Sequence, residues 1–406
     1  MNIEKQIDIF SQGCIDVISV KDLREKLIQA QKEKRPLTIK YGADPSTADI
    51  HLGHTVPLRK LRQLQEIGHH VCFLIGDFTA TIGDPSGRSE TRNMLTPQQV
   101  KKNAETYQTQ VFKILDKKKT TVVYNSEWLG SLSSHDLLML TSKYTVARIL
   151  ERDDFKKRFE NDKPITVLEF LYPLLQGYDS VVLKNDIEIG GTDQKFNLLV
   201  GRYLQRDYGQ QGQVVLTLPL IEGTDGVQKM SKTFGNSINL TDSVTDMFGK
   251  IMSIPDNLIM RYYTYLTSKP SQELAVMSKK LKASQVNPRD IKVALAQDIV
   301  TFYYGQDEAQ RAVDEFNRVF RDKGIPDDVP LHAVKRGEYD IVNLLAHFKL
   351  AKSKSEARRL MAQGGVKIDG EKCMSGDQAA GKMQGKKEIL VQCGKRNFAK
   401  FILKSE

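Results

Sequence analysis

Apolar positions along the chain fall into short blocks whose period switches between that of a strand and that of a helix. LTIKY (37 to 41) reads as a strand, GADPSTAD (42 to 49) as a polar turn, and the stretch from 51 to about 65 as a helix, giving one βα unit. The apolar run HVCFLIGD (70 to 77) follows at once, so two strands flank a helix as in a parallel sheet. The alternation continues with a helical stretch from 97 to about 115, the β-rich TTVVYNS (120 to 126) and an apolar helical segment around 168 to 178. DIEIGGTDQ (186 to 194) is a strand ending in a glycine turn with a helix after it, and VVLTLPLI (214 to 221) is a late strand. The predicted fold class is a doubly wound α/β domain over residues 1 to 242.

Strand signals fade after 243, and amphipathic stretches such as IKVALAQDIVTFYYG (291 to 305) predict a helical domain over 243 to 322. KGIPDDVPLHAVKRGEYD (323 to 340) is rich in proline, glycine and charge and reads as a linker, leaving 341 to 406 as a small module of its own. A chain of 406 residues suits two or three domains. No apolar run approaches the roughly 20 residues that span a bilayer, and the start MNIEKQIDIF has neither signal nor transit character, so the expected location is the cytoplasm. Cys14, Cys72, Cys373 and Cys393 are scattered, which argues against a disulfide framework or a thiolate metal site; no protein-bound metal is expected. Sixty basic against fifty acidic residues give a charge of +10 and favour a polyanionic partner.

Two motifs carry candidate chemistry. In ADPSTADIHLGHT (43 to 55), His51 and His54 stand at a helix start, where unpaired N–H groups and a partial positive charge suit phosphate, and Gly53 lets a ligand approach the backbone. In DGVQKMSKTFGNSI (225 to 238), Lys229 and Lys232 lie in a glycine-flanked loop that can close cations onto a bound phosphate. Each alone is a short motif with a high rate of accidental matches, for which a surface turn and two solvated lysines are the better explanations.

Together, in this order and about 175 residues apart, HLGH and KMSKT resemble the two signatures of class I aminoacyl-tRNA synthetases, whose catalytic domain is Rossmann-like. The resemblance implies that His51, His54, Lys229 and Lys232 contact ATP, with its Mg²⁺, and stabilise charge at the α-phosphate as an amino-acid carboxylate attacks. Leu52 and Thr233 are conservative departures from the usual Ile and Ser. On the same basis Asp44, Gly53, Gly191, Asp193 and Ser231 are expected around ATP, and Arg88 and Arg92 near pyrophosphate.

Three further segments, GDFTATIGDPSGRSETR (76 to 92), FLYPLLQGYDS (170 to 180) and IGGTDQKFN (189 to 197), resemble tyrosyl-tRNA synthetase. Tyr172, Gln176 and Asp179 are four and three apart and so share a helix face. The resemblance implies that Asp179 accepts a hydrogen bond from the substrate phenol, that Tyr172, Gln176 and Asp84 hold its ammonium, and that Gln194 lies on the tyrosine side. Where many bacterial members carry a tyrosine against the phenol, this chain has Lys40. An end-of-strand lysine reaching solvent is one reading; the other puts Lys40 near Asp179, keeping that carboxylate ionised.

KLAKSKSEARRLMAQGGVKIDGEK (349 to 372) reads as loop, helix and strand, with Ser353 and Glu356 as a capping box and Gly364 and Gly365 as a stop. Lys352, Lys354, Arg358, Arg359 and Lys367 form a basic cluster suited to an RNA backbone, and the segment resembles the S4 RNA-binding domain. The expected partners are tyrosine, ATP, a tyrosine-accepting tRNA and a second copy of the chain in a homodimer. The rivals are a tryptophan-specific enzyme on the same core and an RNA-binding protein that has kept the scaffold without catalysis.

Overall fold

The computed structural model describes residues 1–46, 48–86, 95–320, 329–335, 340–384, 386–394 and 397–404. It divides into two compact units, Met1–Gln306 and Asp307–Glu406.

The first unit is built on six strands: β1 (Asp16–Ile18), β2 (Thr38–Ala43), β3 (His70–Ile75), β4 (Thr120–Tyr124), β5 (Ile187–Gly191) and β6 (Val214–Leu218). They lie in the order β1-β6-β5-β2-β3-β4, all parallel except β1, which runs antiparallel to β6 at the edge. The chain builds outward from β2 to β4, then returns to lay β5 and β6 on the other side of β2. This reversal between β2 and β5 opens a crevice at the strands' carboxyl ends, where open α/β sheets bind ligands. The expected α/β parallel sheet is present. β3 and β6 are buried along almost their whole length, which is why they read as unbroken apolar runs.

The crevice is flanked by α1 (Leu52–Glu66), which follows β2, and by α2 (Pro97–Val111), α3 (Val167–Leu183) and α4 (Lys195–Asp207). Gly177 allows α3 to press on α4: a Cβ there would sit 2.8 Å from Leu204 and 3.1 Å from Val200. Beyond β6 come α5 (Val244–Met252), α6 (Ile259–Leu266) and α7 (Pro288–Tyr304). The helices up to Gln306 belong to the same compact unit as the sheet, where the sequence reading set them apart as a domain from 243. Polar side chains of these helices make the connection. The Tyr262 hydroxyl donates to the Glu222 carbonyl (2.8 Å), Arg261 donates to the Leu220 carbonyl (2.7 Å), and the Tyr304 hydroxyl donates to the Leu240 carbonyl (3.2 Å). The segment carrying KMSKT is thus held at both ends by helices behind it.

The second unit holds a five-stranded sheet in the order β7-β11-β10-β8-β9, from β7 (Leu331–Lys335), β8 (Val366–Ile368), β9 (Glu371–Lys372), β10 (Glu388–Cys393) and β11 (Asn397–Lys404). β7 lies inside the stretch read as linker and pairs in parallel with β11, so the small sheet begins before 341. Helix α8 (Lys354–Ala362) carries Lys354, Arg358 and Arg359 of the basic cluster, with Lys352 just before it and Lys367 on β8. Ser353 caps it by accepting from the Glu356 N–H (3.2 Å), but the Glu356 carboxylate reaches back to the N–H of Lys352 (2.8 Å), one residue earlier than a capping box requires. Gly364, at φ +67°, ends the helix as expected.

Candidate active site

At the switch point a cavity of about 680 Å³ opens. Its floor is made by the ends of β2 and β5, its walls by the start of α1, the face of α3 and the loop 219–234.

His51 is the N-cap of α1, and its backbone N–H donates to Nδ1 of His54 (3.3 Å), so the imidazoles stack with centroids 3.7 Å apart. Burial, then the neighbouring His54, Lys232 and Lys229 charges, push the His51 pKa down to about 2; burial and the two lysines push His54 down to about 4. Both rings are therefore neutral at physiological pH, each offering one N–H donor to an anion without the cost of a buried charge. Gly53 fits between His51 and the loop above: a Cβ would lie 3.0 Å from the imidazole and 3.5 Å from Met230.

In the loop, buried Met230 alternates with the more exposed Lys229 and Lys232. Met230 is the anchor: its N–H donates to the Ile221 carbonyl (2.8 Å) and its sulfur accepts from the Gly53 N–H (3.4 Å). Ser231 donates its N–H to Asn236 (2.8 Å), and residues 238–240 bond to Ile50 and Leu52, tying the loop to the start of α1. The lysines flanking the anchor point to carboxylates at the cavity: Lys229 to Asp193 (3.1 Å) and Lys232 to Asp49. Four cationic or donor side chains thus converge where a polyphosphate would lie.

The opposite end of the cavity reads a different chemistry. Asp179, 1% exposed, receives the Trp128 indole N–H (2.8 Å) on one oxygen and the Asn125 amide (3.3 Å) on the other. Burial raises its pKa to about 7, against the downward pull of Lys40, Trp128 and Asn125. The Tyr172 hydroxyl donates to Asp44 (2.9 Å), which also accepts from Thr79 (2.7 Å), and the Gln194 amide donates to Asp84 (2.6 Å). Gly76 makes room for Asp44, since a Cβ there would stand 2.1 Å from its carboxylate. Burial first, and then the Asp84 and Asp179 charges, raise Asp44 to about 7 against its hydrogen bonds from Thr79 and Tyr172. The side-chain oxygen of Gln176 is buried with no hydrogen-bond partner among the described residues. Clustered carboxylates with a spare amide acceptor have the chemistry to take up a cationic group such as an ammonium.

Fourteen of the residues singled out in the sequence line this one cavity: Lys40, Asp44, His51, Gly53, His54, Asp84, Tyr172, Gln176, Asp179, Gly191, Asp193, Gln194, Lys229 and Ser231. Lys232 sits beside it on Asp49, and Arg88 and Arg92 lie outside the described residues. Asp44, expected around ATP, is bonded to Tyr172 and Thr79. Of the two readings of Lys40, the one that sends it to solvent is overturned: it is fully buried, paired with Glu188 at 2.9 Å, and its charge acts on Asp179. Trp128, Asn125, Thr79 and Glu188 were missed. Trp128 is the chain's single tryptophan, a signal that could have drawn attention; the others become visible only through contacts between distant segments.

Residues 31–321 match the family of class I tRNA synthetases for tryptophan and tyrosine, and 322–401 match the tyrosine–tRNA ligase SYY-like C-terminal domain. The tyrosine–tRNA ligase 2 of Clostridium acetobutylicum is 49% identical over 402 residues, covering 99% of each chain. That of Thermotoga maritima is 50% identical over 398 residues, 98% of this chain and 97% of its own. The tyrosyl-tRNA synthetase of Archaeoglobus fulgidus, solved with L-tyrosine, shares the fold at a TM-score of 0.63 and 23% identity over 77% of this chain and all of that one. The chain belongs to the tyrosine–tRNA ligase family.

Proposed function

We infer that this chain joins L-tyrosine to its tRNA in two steps within the one cavity. Tyrosine's carboxylate attacks the α-phosphate of ATP, which brings Mg²⁺ with it as substrate; tyrosyl-adenylate forms and pyrophosphate leaves. The terminal ribose hydroxyl of tRNA then attacks the acyl carbon, forming the ester and releasing AMP.

The observation that carries this reading is the juxtaposition of two unlike receptors. The His51, His54, Lys229 and Lys232 side chains supply donors and positive charge at one end, while Tyr172, Gln176, Asp44, Asp84 and Asp179 supply acceptors at the other. In this reading Asp179 accepts from the phenol, and Tyr172, Gln176, Asp44 and Asp84 surround the ammonium. The carboxylate is then aimed along the floor toward the phosphate end. No covalent enzyme intermediate is needed; catalysis is positioning plus fixed charge on the developing phosphorane. Asp193 and Gly191, at the end of β5, are assigned to the ribose. Asp193 is paired with Lys229, so a ribose hydroxyl bonded to Asp193 would leave that lysine available to phosphate.

Lys352, Lys354, Arg358 and Arg359 are all exposed on and beside α8, which supports tRNA backbone contact by the second unit. Exposed apolar side chains in the first unit, Leu138, Phe159 and Val167 at 67%, 66% and 76% exposure, support a homodimer. No helix among the described residues is long and apolar enough to cross a membrane, which fits a cytoplasmic ligase. Charging of bulk tRNA with labelled tyrosine tests the reading: ATP-dependent acylation is expected, and its absence with intact protein would refute it.

A further inference from the structure

The floor of the tyrosine end hides an ion pair that reaches no solvent. Lys40 on β2 and Glu188 on β5 are register partners in adjacent parallel strands, 0% and 1% exposed, with the ammonium 2.9 Å from the carboxylate. All three protons of the ammonium are accounted for. Besides Glu188 it donates to the Ser180 hydroxyl (2.9 Å) and to the main-chain carbonyl of Gln176 (3.1 Å). Ser180 in turn donates to Glu188 (3.1 Å), and the Gln213 amide donates to the same carboxylate. The pair therefore grips residues 176–180, the single turn of α3 that carries both Gln176 and Asp179.

A buried pair of this kind adds little to stability, because desolvating two ions offsets most of their attraction. A well-packed apolar pair would hold the strands equally well. What an apolar pair cannot do is hold a helix carbonyl at a fixed point or place a positive charge behind Asp179. Lys40 is the cation whose field pulls Asp179 toward its ionised form, while Glu188 acts in the opposite sense. Among the described residues, the other titratable groups facing Asp179 are Asp44 on the turn after β2, Cys72 on β3 and Tyr172 on α3; none of them is a cation.

We propose that Lys40, held by Glu188, is a positioning residue for tyrosine recognition: it clamps the 176–180 turn and supplies the positive charge behind the Asp179 carboxylate that reads the phenol. The proposal rests on the assignment of this cavity to tyrosine. It makes the two members of the pair act oppositely on substrate recognition, which a purely structural ion pair would not do.

Tyrosine-dependent exchange of pyrophosphate into ATP by the full-length protein provides the test. In Lys40→Met combined with Glu188→Met, which leaves no unpaired buried ion, KM for tyrosine should rise about tenfold or more against a KM for ATP that hardly moves. The tyrosine-over-phenylalanine ratio of kcat/KM should fall by a similar factor, and the acid limb of kcat/KM for tyrosine should move to higher pH. Glu188→Gln, which keeps the cation and removes the opposing charge, should move that limb to lower pH, and it serves alone if the double variant does not fold. An unmoved acid limb and an unchanged ratio would overturn the proposal. Asp179→Asn separates that result from failure of the underlying assignment: if it leaves tyrosine preference intact, the cavity assignment itself is wrong.

Discussion

Asp179 is a carboxylate whose job depends on a charge that its surroundings disfavour. Burial raises its pKa to about 7, so in the free protein the ionised acceptor is present above that pH and lost as pH falls through it. Asp44, raised to about 7 in the same cavity, titrates over the same range, so we predict that kcat/KM for tyrosine rises by about tenfold or more between pH 6 and pH 8, tenfold being the change in ionised fraction for one group titrating at 7. The same measurement on Asp179→Asn should give a shallower limb, carried by Asp44 alone, together with a roughly ten- to hundredfold loss of preference over phenylalanine. His51 and His54, held neutral down to about 4, do not titrate in this window. The loop lysines act differently. Their partners Asp193 and Asp49 are partly exposed, so Lys229→Ala or Lys232→Ala should leave the Tm within about a degree or two. Either should cut the exchange rate constant by about a hundredfold or more with little change in KM for tyrosine.

At the scale of elements, β3 and β6 were readable because burial on both faces makes them apolar runs, and the HLGH and KMSKT signals were local. The tyrosine helix was legible for the same reason: Tyr172, Gln176 and Asp179 interrupt an apolar face at helical spacing. β1 was not legible, because three half-buried residues at an edge carry no period. β7 was hidden by its setting among prolines and charges; only Val334 of its five residues is buried, and its pairing partner β11 lies about 70 residues downstream. Contacts such as Trp128 to Asp179 or Lys40 to Glu188 join segments about 50 to 150 residues apart, so local pattern cannot find them. β7 also changes where the chain should be cut. A truncation at 341 would leave β7 without β11, whereas removing 329–406 takes the whole sheet. The shorter protein should keep tyrosine activation within about twofold and lose nearly all tRNA charging, since counterion release by the basic cluster supplies much of the affinity; full retention of charging would contradict the role given to that unit.

For the whole molecule, the exposed apolar side chains of the first unit and the basic surface of the second point to two different partners. Sedimentation at micromolar concentration should give a dimer, and Phe159→Asp combined with Val167→Asp should shift it toward monomer without unfolding it. Binding of tRNA should weaken by roughly tenfold or more between 50 and 200 mM salt, whereas KM for tyrosine should stay nearly constant. The central claim is narrower than either. One cavity at the β2/β5 switch point reads tyrosine at one end and drives adenylate formation at the other. Pyrophosphate exchange into ATP, run on the intact protein with each of the twenty amino acids in turn, tests it most directly. The account predicts exchange with tyrosine, little with phenylalanine and none above background with tryptophan; exchange with tryptophan alone, or with no amino acid at all, would contradict it.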